Sequence, residues 1–162
     1  MFKTRLLISL LISFIFYSCT KNISNQNIDK YSLGYVSGEY DGLVLKNLLK
    51  SNLSGIGVYD DGSNFRIEPK ISHSSELFIT NIDNTSDRIR VDSTLIIDVV
   101  DQRLECITYK FEERVSQFYL FADSDRYISN NIAEKKIREQ STETLVKGFI
   151  NKLNKFKNIC DR

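Results

Sequence analysis

The chain has 162 residues, 41% hydrophobic and 27% charged, with 22 Lys+Arg against 21 Asp+Glu and a formal net charge of +1. That composition belongs to an ordinary globular domain, and a charge so near zero excludes the broad basic surface that bulk nucleic-acid binding requires. A single histidine, His73, excludes every metal site built on two, including H-E-x-x-H metalloproteases. In chain order, Met1 to Arg5 is a short basic start carrying Lys3 and Arg5, and Leu6 to Tyr17 is apolar apart from Ser9 and Ser13. Twelve residues are too few to cross a bilayer, which takes about 20, but they suit the apolar region of a secretory signal. Residues 1–18 therefore read as a removed signal. That leaves 144 residues with 20 basic against 21 acidic side chains, a net charge of −1.

Phe16-Tyr17-Ser18-Cys19 puts a small residue directly before a cysteine at the end of the apolar run. The segment resembles a bacterial lipobox, with Phe16 and Tyr17 bulkier than the usual residues there. The resemblance implies cleavage before Cys19 and acylation of its thiol. A second chain makes such an anchor stable, since each buried CH₂ contributes about 0.8 kcal/mol. The residue after the cysteine is Thr20, not the Asp that retains lipoproteins in the inner membrane, which implies the outer membrane and its periplasmic face. Residues 19–30 are polar, Asn-rich and without a period, and read as a lipidated tether reaching about 35 Å.

The domain is expected over 31–158, with a short tail at 159–162. Tyr31 to Val36 reads as a strand, broken by Ser37-Gly38. From Glu39 to Leu53 the apolar residues Leu43, Val44, Leu45, Leu48, Leu49 and Leu53 recur in steps of three and four, an amphipathic helix ended by Gly55-Ile56-Gly57. Tyr59 to Ser74 has no clear assignment, because Asp60 to Asn64 signals a turn and Pro69 confines Phe65 to Ile67 to an edge strand or a loop. Glu76 to Ile82 reads as a strand and Asp83 to Asp87 as a turn. From Arg88 to Val100 the odd positions are apolar or small and the even ones mostly polar, which predicts a strand with one buried face. Asp101-Gln102 predicts a turn into a strand over Leu104 to Phe111, and a further strand is expected over Val115 to Phe121. A long helix towards Phe156 is expected to start at an Asn131 cap with Glu134 in capping-box spacing. Its stripe is Ile132, Ile137, Leu145, Phe149, Leu153 and Phe156, and Gly148 inside it suggests close approach to another backbone. This order predicts an α+β two-layer sandwich, with two helices on one face of an antiparallel or mixed four-stranded sheet.

No enzyme motif is present: there is no G-x-S-x-G, no P-loop and no dinucleotide fingerprint. No cofactor or metal is expected. His73 lies among serines and reads as an exposed loop residue, so a hydrolase built on it is the least favoured reading. Asp60-Asp61-Gly62 lacks the ligand spacing of a calcium loop. Cys106 and Cys160 remain after Cys19, either paired in an oxidising compartment or both free. Arg88 and Arg90, on the wetter face of the strongest strand, read either as a solvated surface or as a site for phosphorylated or acidic ligands.

A short signal with a lipobox, a first strand, a helix over Leu43 to Leu53, antiparallel strands from Asp87-Arg88, the run Tyr119 to Lys136 and the stripe Leu145 to Leu153 together resemble the lipopolysaccharide-assembly lipoprotein (LptE) family, most closely its alphaproteobacterial members. The resemblance spans most of Tyr31 to Phe156 and contains no catalytic residue. It implies a lipid-anchored outer-membrane protein, not an enzyme, that partners the β-barrel LptD and helps it fold. It also implies contact with lipopolysaccharide, for which Arg88 and Arg90 are the candidate residues. The competing expectation is a different envelope lipoprotein, a scaffold or activator of a cell-envelope synthase.

Overall fold

The computed structural model describes residues 29–79, 87–120, 127–153 and 160. The proposed signal, Cys19 and most of the tether lie outside these residues. So do Phe121, Phe156 and all of the turn proposed at 83–87 except Asp87, which is the first residue of a strand.

The elements run β1 (Tyr31–Leu33), α1 (Tyr40–Gly55), β2 (Phe65–Ile79), β3 (Asp87–Asp101), β4 (Cys106–Leu120) and α2 (Tyr127–Leu153). The four strands form one sheet in the order β1-β2-β3-β4. β1 pairs parallel to β2, while β2 with β3 and β3 with β4 are antiparallel. Both helices lie on one face, the α+β arrangement the sequence predicts.

The stretch left unassigned in the sequence is where the longest surprise lies. Residues 65–74 belong to β2, which runs 15 residues through Pro69. Proline is tolerated because of the edge it faces. The Gly34 N–H donates to the Ile67 carbonyl at 2.8 Å, so the backbone polar groups of Ile67 point towards β1. Pro69, two residues on, points its nitrogen to the same side, where β1 has ended. A second difference is at β4, one strand from Cys106 to Leu120 where two were expected; a bulge at Val99/Val100 absorbs the extra residue. The turn before it spans 102–105. The Asp101 carboxylate accepts the N–H groups of Arg103 (2.8 Å) and Leu104 (3.4 Å), and Glu105 takes a left-handed φ of 49°.

Leu45, Leu49 and Leu53, one helical turn apart, are the fully buried positions of α1, and Leu43 faces solvent instead. Gly57, at φ +75°, ends the helix as expected, with the N–H groups of Ile56, Gly57 and Val58 returning to carbonyls of the last turn. Gly42 has a different use. A Cβ there would stand 2.5 Å from the Ser37 carbonyl oxygen, so its absence lets the 34–39 segment lie against α1.

α2 starts four residues before the expected cap, which puts Asn131 inside the helix and rules it out as an N-cap. Ile132 is exposed, although the expected stripe included it. The buried face passes instead through Asn130, Ser141, Thr142, Leu145, Phe149 and Leu153. Gly148 does make a close approach, though to a side chain: a Cβ would lie 2.9 Å from a Glu113 carboxylate oxygen.

Odd-numbered residues of β2 and β3 face the helices. Ile67, Leu95, Ile97 and Val99 meet the α1 leucines, Leu145 and Phe149 in one core. Phe111 of β4 closes it edge-to-face on Phe149, with ring centroids 5.4 Å apart. Cys106 and Cys160 are joined by a disulfide with Cα atoms 6.5 Å apart, which ties the start of β4 to the segment after α2. This resolves the two alternatives left by the sequence.

Candidate functional site

The even-numbered face of the sheet carries no helix and holds both candidate arginines. Arg88 is exposed and forms no ion pair among the described residues; across the strand pair it stands opposite Leu120. Arg90 stands opposite Phe118, and its guanidinium is already engaged, 2.6 Å from Glu76 and 3.2 Å from Asp92. Arg114 of β4 also reaches Asp92, at 2.7 Å. The Ser116 hydroxyl donates to Asp92 and, with Arg114, holds its carboxyl below the ordinary carboxylate range in spite of burial. The two arginines therefore differ. Arg90 is a member of an ion-pair lattice, and Arg88 is the cation left available to a ligand.

Under the helices, the chemistry changes halfway along the sheet. Next to Leu95 and Ile71 come Ser93 and His73, paired across β2 and β3. His73 is a strand residue, half-buried, not the exposed loop histidine that the surrounding serines suggest. Its Nδ1 is 2.8 Å from the Ser93 hydroxyl, and its buried Nε2 has no partner. Ser93 is completely buried, so this hydroxyl opens onto no cleft. Burial lowers the His73 pKa, with Asp41 opposing that shift and Arg138 adding to it.

Glu134 and Arg138 of α2 sit over this region. Glu134 accepts from the Ser75 hydroxyl at 2.6 Å and from Arg138 at 2.5 Å, and Arg138 reaches Asp41 of α1 at 3.5 Å. Burial would raise the Glu134 carboxyl, but the hydrogen bonds from Ser75 and Arg138 outweigh it and bring it below its ordinary value. Burial, and the charge of Glu134, push the Tyr119 phenol up. One carboxylate and one guanidinium thus connect α1, α2 and the sheet.

At this same end several apolar side chains are exposed. Leu77 of β2 on the helix-bearing side, Phe118 and Leu120 of β4 on the open face, and Ile128 and Ile132 of α2 are between 51% and 75% exposed. The sequence pattern placed Ile132 in the core and so hid this tip. The signal that could have revealed it is the set of polar residues, Asn130, Glu134, Arg138 and Ser141, recurring at helical spacing.

Two grooves border the helices. One of about 620 Å³ lies between α1 and α2, lined by Tyr40, Val44, Leu48, Glu139, Gln140 and Glu143. Another of about 270 Å³ lies beside Asp41, Glu134, Lys135 and Arg138. Lys135 caps the Tyr40 ring at 4.0 Å, and charges of both signs line this groove. Among the described residues no group of three or more His, Cys, Asp or Glu side chains could hold a metal ion, and no helix is long and apolar enough to cross a membrane.

No family model and no curated protein matches the sequence. Solved structures do match in fold. A minor lipoprotein from Acinetobacter baumannii superposes with a TM-score of 0.61 at 16% identity, covering 81% of this chain and 96% of its own. A lipoprotein B from Nitrosomonas europaea gives 0.61 at 9% identity over 78% of this chain and 82% of its own. The rare lipoprotein B from Shewanella oneidensis gives 0.55 at 14% identity over 78% and 98%. At these identities the likeness is one of fold, shared over about four-fifths of the chain with proteins described as lipoproteins.

Proposed function

We propose that this protein is a lipid-anchored, non-catalytic lipoprotein of the outer membrane that works with the barrel LptD in lipopolysaccharide assembly, as the LptE resemblance implies. Three observations support the anchored, envelope part of this reading. The lipobox-like run ends at Cys19, the fold is shared with lipoproteins, and the Cys106–Cys160 disulfide suits an oxidising compartment.

The observation that carries the ligand part is the composition of the tip. On one open face the available cation, Arg88, stands opposite the exposed Leu120, and the exposed Phe118 follows on the same strand opposite the ion-paired Arg90. That pattern suits an amphiphile with acyl chains and anionic groups, the chemistry of lipopolysaccharide. The tip is also remote from the anchor. Tyr31 enters the sheet beside Phe65, at the opposite end of β2 from Leu77.

The test is a pull-down of the lipidated protein from detergent extract, scored for a large outer-membrane barrel and for co-purifying lipopolysaccharide. Recovery of both is expected, with lipopolysaccharide falling several-fold in Arg88→Glu while the barrel remains. A preparation that brings down a peptidoglycan synthase and no barrel overturns this reading in favour of a synthase activator.

A further inference from the structure

The helix α2 is held to the rest of the molecule in different ways along its length. Its core residues are Leu145, Val146, Phe149 and Leu153, and none of them precedes Leu145. Before that point its buried residues, among those described, are Asn130, Ser141 and Thr142, all polar. The ties there are polar as well. The Glu134 carboxylate accepts from Ser75 of β2, from Arg138 and from the Tyr119 phenol of β4, and Arg138 reaches Asp41 of α1. His73 lies beneath this clasp.

The His73 ring is fitted to one protonation state. The completely buried Ser93 bonds Nδ1 at 2.8 Å, and Nε2 is shut away from solvent with no partner. A neutral ring can carry its proton on Nδ1 and leave only a lone pair at Nε2. The cation carries an N–H at both nitrogens, and a buried N–H without an acceptor is costly. The charged groups that face the ring are Asp41 of α1 and Glu134 and Arg138 of α2. The two carboxylates are the acceptors at hand, and Arg138 holds both. β3 brings only the Ser93 hydroxyl, and the Tyr119 phenol of β4, pushed up in pKa, stays neutral.

We propose that His73 is a proton-operated latch: a proton taken up at Nε2 releases the Glu134–Arg138–Asp41 clasp and frees the first half of α2, while the half from Leu145 onwards stays docked. The driving force is linkage. Nε2 meets solvent once the clasp lifts, so the open form binds a proton that the closed form does not accommodate, and falling pH draws the equilibrium towards the open form. Burial, which lowers the His73 pKa in the closed form, acts in the same direction. Glu134 is held below its ordinary value and stays ionised while His73 titrates. His73 is the one histidine of the chain, and no other side-chain type ordinarily titrates between pH 5 and 8, so the latch has a single operator. With an ordinary pKa of about 6.5 in the open form, the open population grows by at most about tenfold from pH 7.5 to pH 5.5. The inference does not depend on the lipoprotein or barrel reading.

Amide hydrogen exchange of the full chain in detergent tests it, read by mass spectrometry at pH 7.5 and 5.5 and corrected for the intrinsic pH dependence of exchange. At pH 5.5 the amides over 130–142 are expected to open at least about tenfold more often than those over 146–153, which marks an opening short of global unfolding. Between pH 7.5 and 5.5 the opening over 130–142 is expected to rise about three- to tenfold. In His73→Gln, which keeps a hydrogen-bonding group for Ser93 and does not titrate, that rise is expected to vanish. Equal protection of the two halves at pH 5.5, no rise over 130–142 in the wild type, or an undiminished rise in His73→Gln would each overturn the proposal. The first two outcomes are read in the wild type, so the test holds should His73→Gln fail to fold.

Discussion

The two ends of this sheet are built on opposite plans. From Phe65 to Ile71 the space between sheet and helices is dry, filled by leucines, isoleucines and the Phe111–Phe149 pair, and closed at its margin by a disulfide. From His73 to Leu77 the same space holds His73, Ser93, Glu134 and Arg138, while Leu77, Phe118, Leu120, Ile128 and Ile132 stand outside. The first end has the distribution that stabilises a domain. The second has the distribution of a surface meant to be covered. A single helix, α2, carries both plans along one face, so the change cannot be ascribed to different elements. It follows the residues.

This contrast can be broken most directly at the dry end. Phe149→Ala is expected to cost about 4 kcal/mol, a large aromatic lost from a closed core, and to lower Tm by roughly 8–16 °C in a thermal melt. Cys106→Ser is expected to cost about 3–4 kcal/mol, since the bond closes a loop of 54 residues and restricts the unfolded chain by that order. Gly42→Ala is expected to cost about 1–3 kcal/mol, because the new Cβ meets the fixed Ser37 backbone rather than a movable side chain. At the polar end, Arg138→Met is expected to change denaturant stability by no more than about 1 kcal/mol, since a partly exposed ion pair contributes little beyond its packing. A cost at Arg138 equal to that at Phe149 would erase the distinction between the two ends.

The smallest expected effect is on pH dependence. Burial lowers the His73 pKa in the folded protein, so its contribution is complete above the ordinary value of about 6.5 and declines as pH falls below it. Glu134 and Asp92, both held below their ordinary values, contribute above the usual carboxylate range and lose that contribution at lower pH, as each protonates. Melts at pH 7.5 and 5.5 are expected to differ slightly in the wild type and not in His73→Gln; a difference that survives in His73→Gln would assign it to another group.

Much of this architecture was legible in the sequence because burial imposes a period. The alternation from Ile89 to Val99 marked β3, and the four-residue steps of α1 marked its buried leucines. Residues 65–75 of β2 were hidden because Ser72 to Ser75 put polar side chains on both faces and so show no hydrophobic alternation, and because Pro69 is acceptable only when one knows which edge it faces. The first half of α2 was misread because its buried residues are polar, and apolar periodicity then selects Ile132 on the wrong side. At the candidate site, the exposure of Arg88 followed from strand parity, whereas the capture of Arg90 by Glu76 depends on a β2–β3 register that no single strand encodes.

The disulfide has a mechanical consequence. It fastens Cys160, seven residues past the end of α2, to the first residue of β4, so that even when α2 lifts its C-terminal end stays leashed to the sheet. No such covalent link holds the other half of α2, where the Glu134–Arg138–Asp41 clasp is the tie to α1 and to Ser75 of the sheet. The two halves of one helix are thus held by a covalent leash and by a set of exchangeable polar bonds.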